Sequence, residues 1–140
     1  MRSSGTRLRP ATVGDGPQLL DLWREAGSAP TRTDDLGSIE KLLAFDPGAV
    51  IVAEADSRIV GSVIAGWDGW RGSIYRLAVA PDFRRLGLGR QLVARAQRRL
   101  EEIGALRLQA IVVETDPRAT SFWRASGWEE QVARVRFVTG

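Results

Sequence analysis

The chain of 140 residues contains no cysteine and no histidine. The first absence excludes disulfides, thiolate nucleophiles and any acyl-enzyme carried on sulfur. The second excludes imidazole as a general base or metal ligand and leaves carboxylates for either task. No clustered acidic motif marks a carboxylate metal site, so no metal is expected. Tyr75 is the only tyrosine and Lys41 the only lysine. A phenolic acid can therefore come from one position, and nearly all positive charge is arginine. No apolar run approaches the about 20 residues needed to span a bilayer. No hydrophobic leader follows Met1, because "MRSSGTRLRP" is polar and basic. The expectation is a cytoplasmic protein with no membrane partner.

What is present fits one soluble domain over residues 1–140, with residues 1–6 as a loose N-terminus. The net charge is +3. The arginine excess reads either as compositional bias or as a surface for an anionic partner, since the guanidinium fork suits phosphates and carboxylates. It is too small, and too poor in interleaved aromatics, to argue for nucleic acid.

Patterning predicts a mixed α/β order. A short strand lies near Leu8. "GDGPQLLDLWREAG" reads as a helix, with Asp15 as cap, Pro17 in the first turn, Gly27 as stop and Leu19, Leu20, Leu22 and Trp23 on its apolar face. "TDDLGSIEKLLAFDPG" is a second helix. "AVIVAEA" and "RIVGSVIAGW" form a hairpin about "DSR". The fourth strand is Gly72–Ala80. A long helix then carries Leu88, Leu92, Ala96, Leu100 and Ile103 on one face, ending near Gly104. "LRLQAIVVE" is a fifth strand, and "DPRATSFWRASG" a short helix stopped by Gly127. "WEEQVARVRFV" supplies one or two last strands.

The chemistry concentrates in "APDFRRLGLGRQL", between the fourth strand and the long helix. The first amides of a helix lack internal partners and its dipole adds positive potential. Glycines admit phosphate oxygens to the backbone, and Arg84, Arg85 and Arg90 add charge. The stretch is neither a Walker loop, lacking Gly-Lys-Ser/Thr, nor a Rossmann fingerprint, lacking the third glycine. Two glycines alone leave open a plain turn into a basic helix.

The wider stretch "IYRLAVAPDFRRLGLGRQLV" resembles the acetyl-CoA-binding motif of the GNAT superfamily of N-acetyltransferases. Arg84, Gly87 and Gly89 fill its Gln/Arg-x-x-Gly-x-Gly/Ala pattern. "DPRATSFWRASGW" is similar to that family's second motif through Ala119, Phe122 and Gly127. "LRPATVGDGPQLLDLW" and "VAEADSRIVGSVIAG" also look like the family. The resemblance implies a mixed, mostly antiparallel sheet of about six to seven strands, splayed between the fourth and fifth, with about four helices. Pantetheine would pair with the backbone of Leu77, Ala78 and Val79, and the diphosphate would rest on the amides of Arg85, Leu86, Gly87, Leu88, Gly89 and Arg90. Dimers through the late strands are common in such folds, so a homodimer is possible. The implied activity is acetyl transfer from acetyl-CoA to a small-molecule or peptide amine.

The chain departs from that pattern where chemistry is finished. Trp123 stands where family members often carry a tyrosine that protonates the leaving thiolate. An indole N–H is a donor but no acid at neutral pH. Trp123 therefore either packs beside the cofactor or fills core. Tyr75, sharing strand parity with Leu77 and Val79, either replaces that acid or orients the amine, or simply packs on the sheet. Ser73 and Tyr75 align where some members place a strand glutamate. Glu114 is a candidate base or a solvated strand-end charge, and Asp116 reads rather as a helix cap. In "GWDGWRG", Trp67, Asp68 and Trp70 either border an acceptor cleft, with a cation–π platform and a carboxylate for an amine, or form a surface turn in which Asp68 pairs with Arg71. The rival readings are a non-catalytic acyl-CoA-binding module and, weakest, a basic nucleic-acid-binding domain.

Overall fold

The computed structural model describes residues 5–28, 30–112 and 117–140, without the side chain of Pro117. It divides into residues 1–110 and residues 111–140, each described by itself.

The first unit is a five-stranded sheet in sequence order, flanked by three helices. The strands are β1 (Thr6–Pro10), β2 (Val50–Ala55), β3 (Arg58–Trp67), β4 (Gly72–Val79) and β5 (Leu108–Ala110). β1 to β4 pair antiparallel, and β5 joins β4 in parallel after the helical crossover. The helices are α1 (Gly16–Glu25), α2 (Leu36–Phe45) and α3 (Leu88–Glu102). β2 and β3 turn at Asp56 and Ser57, both at positive φ, the geometry that suits a tight hairpin.

Hydrophobic periodicity decides what each helix buries. α1 sinks Leu19, Leu22 and Trp23. α3 buries Leu88, Leu92, Ala96 and Leu100, whereas Ile103, expected on the same face, is 43% exposed at the helix end. α3 sits close because the sheet offers it glycines. A Cβ on Gly72 would come within 2.8 Å of Leu100, and one on Gly61 within 2.9 Å of Leu92. Either substitution would push α3 outward.

Asp15 does not cap α1 as expected. Its carboxylate turns back to accept from the Thr12 amide at 2.8 Å and from the Arg9 guanidinium at 2.8 and 3.0 Å. Bidentate arginine outcompetes the helix amides for this short side chain. The Arg9 hydrogen bonds hold the Asp15 carboxyl below its ordinary range, ahead of the opposing effect of burial. Asp35, by contrast, does cap α2, accepting from the Ser38 amide at 2.7 Å.

The second unit contains α4 (Pro117–Ala125). It ends in a Schellman pair: Trp128 N–H donates to Trp123 C=O at 3.2 Å and Gly127 N–H to Arg124 C=O at 3.1 Å, with Gly127 at φ +87°. The turn folds Trp128 onto Trp123, ring centroids 4.8 Å apart, and Phe122 meets Trp123 edge-on at 5.5 Å.

Two strand expectations need correction. β5 is only Leu108–Ala110, not the whole of "LRLQAIVVE". The last segment forms no strand, so among the described residues the sheet has five strands rather than six or seven. Ala133 at φ +60° breaks the extended run there, and Val132, Val135, Phe137 and Val138 are all exposed. Among the described residues no helix is long and apolar enough to cross a membrane.

Candidate functional site

Two features of the first unit adjoin at the C-terminal end of β4. One is a loop. After β4 a 3₁₀ turn, Pro81–Phe83, leads through Arg84, Arg85 and Leu86 to Gly87, the N-cap of α3. Arg58 at the start of β3 clamps that turn, donating to both carboxylate oxygens of Asp82 at 2.9 and 3.2 Å. Gly87 has φ +81° and Arg85 φ +65°, so the chain reverses through two left-handed residues, and glycine meets this at its cap without a Cβ penalty. The first backbone bond inside α3 runs from Gln91 N–H to Gly87 C=O at 3.1 Å. The amides of Leu88, Gly89 and Arg90 precede it and open on the helix N-terminus. Arg85, Leu86, Gly87 and Arg90 are exposed. Arg84 is half-buried and directs Nη2 to Ala26 C=O, behind α1, at 3.3 Å. The loop thus combines unfilled amides, dipole potential and two solvent-facing arginines, a fit to a diphosphate.

The other feature is the edge of β4. Its ladder with β5 stops after Gly72↔Leu108, Ser73↔Gln109 and Ile74↔Ala110. From Tyr75 to Val79 the strand has no ladder partner on that side among the described residues. This parting is the expected splay, and it leaves backbone groups for an extended amide ligand. Leu77 and Val79 there are half-buried and Ala78 is buried.

Within that edge β4 bulges. Ile64 pairs with Tyr75 and Ser62 with Ala78, so Arg76 and Leu77 of β4 stand opposite Val63 alone of β3. Arg76 takes φ +50° to do so. The bulge overturns the expected parity. Tyr75 lies on the face of Ile64 and Gly66, where a Cβ on Gly66 would meet its ring at 3.3 Å. Leu77 and Val79 point to the other face. Tyr75 is 48% exposed and its hydroxyl makes no hydrogen bond among the described residues. Ser73 is engaged by Gln109, whose Nε2 donates to its Oγ at 3.2 Å.

The tryptophan loop takes the turn form. Asp68 Oδ1 accepts from the Trp70 and Arg71 amides at 2.8 and 2.7 Å. Those bonds, the Arg71 amide first, hold its carboxyl below the ordinary range. Arg71 stacks over Trp70, 4.2 Å from the ring centroid, rather than pairing with Asp68. Trp67, half-buried, closes β3 opposite Gly72. Trp123 lies in the second unit within its aromatic cluster. Glu114 and Asp116 fall outside the described residues.

Sequence reading missed the polar groups around the bulge: Trp23, Asp34, Ser62 and Arg76. Ser62 carried a signal, as the one hydroxyl inside the apolar run "RIVGSVIAGW". Arg76 carried none, because arginine is not a residue that announces positive φ.

A model of the acetyltransferase (GNAT) family matches residues 17–128. An acetyltransferase of Yersinia enterocolitica is 34% identical over 124 residues, 89% of this chain and 88% of the relative. One of Photorhabdus laumondii is 35% identical over 107 residues, 76% of this chain and 75% of the relative. Among solved structures, the aminoglycoside acetyltransferase AAC(6′)-Iy with a CoA bisubstrate analogue superimposes with a TM-score of 0.78 at 20% identity, covering 96% of this chain and 97% of the other. The PaiA N-acetyltransferase of Thermoplasma acidophilum with coenzyme A gives 0.75 at 17% identity, covering 86% and 87%. At these identities the likeness is one of fold.

Proposed function

We propose that this chain, which belongs to the acetyltransferase (GNAT) family, binds acetyl-CoA and a primary amine together and transfers the acetyl group by direct attack. Membership makes it an acetyl-CoA-dependent acetyltransferase; the acceptor, the route and the residues are the proposed part. One observation carries the reading: open α3 amides adjoin a β4 edge released by β5. The amides of Leu88, Gly89 and Arg90, with Arg85, would hold the diphosphate, and the edge from Tyr75 to Val79 would hold pantetheine. Bound acetyl-CoA supplies the thioester. The amine nitrogen bonds to its carbonyl carbon, the C–S bond breaks, and the amine proton passes to water or a base. A backbone N–H in Leu77–Val79 would stabilise the oxyanion.

The bulge bears on the acid. Tyr75 faces away from Leu77 and Val79, so it suits orientation of an acceptor on its own face better than protonation of sulfur. A thiol of pKa about 8.5 leaves tolerably without an acid. The base matters more. A lysine amine of pKa about 10.4 is neutral in roughly one molecule in 2,500 at pH 7, a cost of about 4–5 kcal/mol. An α-amine near 8 costs only about 1.4 kcal/mol. Glu114, the candidate base, lies outside the described residues, and an acceptor of low amine pKa, small molecule or peptide, is the one least dependent on it. AAC(6′)-Iy, whose bound analogue joins CoA to acetylneamine, makes a small polyamine a reasonable first acceptor to try.

Thermal unfolding with millimolar acetyl-CoA, followed by thiol release across α-amine peptides, small polyamines and lysine peptides, tests this. Stabilisation with release on a low-pKa amine is expected. No stabilisation would sink the proposed cofactor site, and binding without release on any amine would overturn the proposed acceptor class.

A further inference from the structure

We propose that Trp23 and Ser62 are positioning residues for acyl transfer, forming a buried relay that holds the β4 bulge in its active shape. The inference rests on the acyl-transfer reading above. Ser62 is completely buried. Its Oγ donates to Arg76 C=O at 2.8 Å and accepts from Trp23 Nε1–H at 2.9 Å. A buried hydroxyl needs its partners, and here it has a donor on one helix and an acceptor on one strained residue. Arg76 is that residue, at φ +50°, a conformation arginine keeps only where its surroundings impose it.

Three further contacts bear on it. The Arg76 guanidinium lies 5.3 Å from the Trp23 ring centroid and is ion-paired with Asp34 in the segment between α1 and α2. Asp34 is itself anchored by the Thr31 amide at 2.8 Å. Side chains at Arg76 and Asp34 are only 21% and 11% exposed. The same tryptophan thus grips Arg76 twice, through Ser62 to its carbonyl and through its ring to the guanidinium.

The consequence is directional. The next amides in the chain belong to Leu77, Ala78 and Val79, the proposed oxyanion donors. A donor contributes to catalysis only when it is aimed before the charge develops. Loss of the relay lets Arg76 relax toward ordinary extended backbone and re-aims those amides, while the diphosphate loop is untouched. Turnover should therefore fall with acetyl-CoA affinity preserved.

Ser62→Ala removes both hydrogen bonds at little change in volume, and Trp23→Phe removes the indole donor and part of its ring but keeps an aromatic group near Arg76. In the cofactor-free protein, Ser62→Ala should speed amide hydrogen exchange at Arg76–Ala78 about tenfold while the rest of the sheet keeps its protection. With acetyl-CoA labelled at the carbonyl carbon, the downfield shift on binding to wild type should shrink in Ser62→Ala at unchanged Kd. Against the best amine, kcat should fall about tenfold with acetyl-CoA KM within twofold, and Trp23→Phe should show the same split more weakly. Arg76→Val should lose turnover, and Arg76→Gly, which tolerates positive φ, should lose at least about fivefold less. Unchanged exchange, an unchanged carbonyl shift, or equal losses in Arg76→Val and Arg76→Gly would overturn the relay. If wild type binds no acetyl-CoA, the acyl-transfer reading fails first and takes this inference with it. Binding and turnover that Ser62→Ala leaves intact overturn the relay alone.

Discussion

The loop before α3 and the bulge in β4 are neighbours along the chain, and both contain an arginine in a left-handed conformation. They differ in where their polar groups go. Around the bulge each group named has a partner inside the protein: indole to hydroxyl, hydroxyl to carbonyl, guanidinium to carboxylate. In the loop the helix amides and the Arg85 and Arg90 side chains open on solvent. The bulge is complete without a ligand, whereas the loop leaves donors for the proposed diphosphate. On the proposed reading recognition and reactivity are housed separately, and damage to each should read out differently.

The largest separation is expected from the loop glycines. Gly87→Val with Gly89→Val places side chains where oxygens must approach and forces valine into positive φ at the cap. Acetyl-CoA affinity should drop by roughly 100-fold or more, about 3 kcal/mol, with circular dichroism retained. Calorimetric titration giving wild-type affinity would end the idea of a backbone cradle.

Removing a partner from a closed cluster should instead cost the fold. Asp15→Ala leaves Arg9 with Glu54 as its remaining carboxylate partner, takes the acceptor from the Thr12 amide, and should lower unfolding free energy by roughly 2 kcal/mol at pH 7. The sign with pH follows from the lowered folded pKa. Stability from Asp15 is complete above the ordinary carboxylate range, near 4, and drains away as pH falls through the folded value. Denaturant titrations from pH 7 to pH 3 should show wild type and Asp15→Ala converging in acid; parallel curves would contradict this. Acetyl-CoA affinity should not change.

The finest test contrasts arginines within one loop. Arg85→Ala with Arg90→Ala should weaken acetyl-CoA about tenfold and flatten the salt dependence of binding. Arg84→Ala, whose guanidinium reaches Ala26, should lower the melting temperature more than the affinity. A larger binding loss from Arg84 than from the other two would place the anion on the other side of the loop.

Much of this was legible beforehand, and for physical reasons. Helix periodicity, the Asp-Ser hairpin turn and the strand–glycine–helix junction are local, so the sequence carries them. The relay is not local. It joins Trp23, Ser62 and Arg76 across 14 and 39 positions, and its central distortion sits on a residue with no turn preference. One extra residue in β4 then reversed the facing of Tyr75, which strict alternation could not foresee. Asp15 misled differently: position marked it as a cap, but the Arg9 guanidinium, six residues back in β1, was the stronger partner. The last segment had the composition of a strand, and Ala133 broke it.

The parting of β4 from β5 has one more consequence. A stretch of strand with its ladder groups unclaimed is a sticky edge, the surface through which sheets recruit foreign strands and aggregate. Here that edge is short, and the proposed pantetheine would occupy it in the manner of a strand. The nucleotide would then act as a folding chaperone as well as a reagent, and protein stored with coenzyme A should stay clear at concentrations where the bare chain clouds.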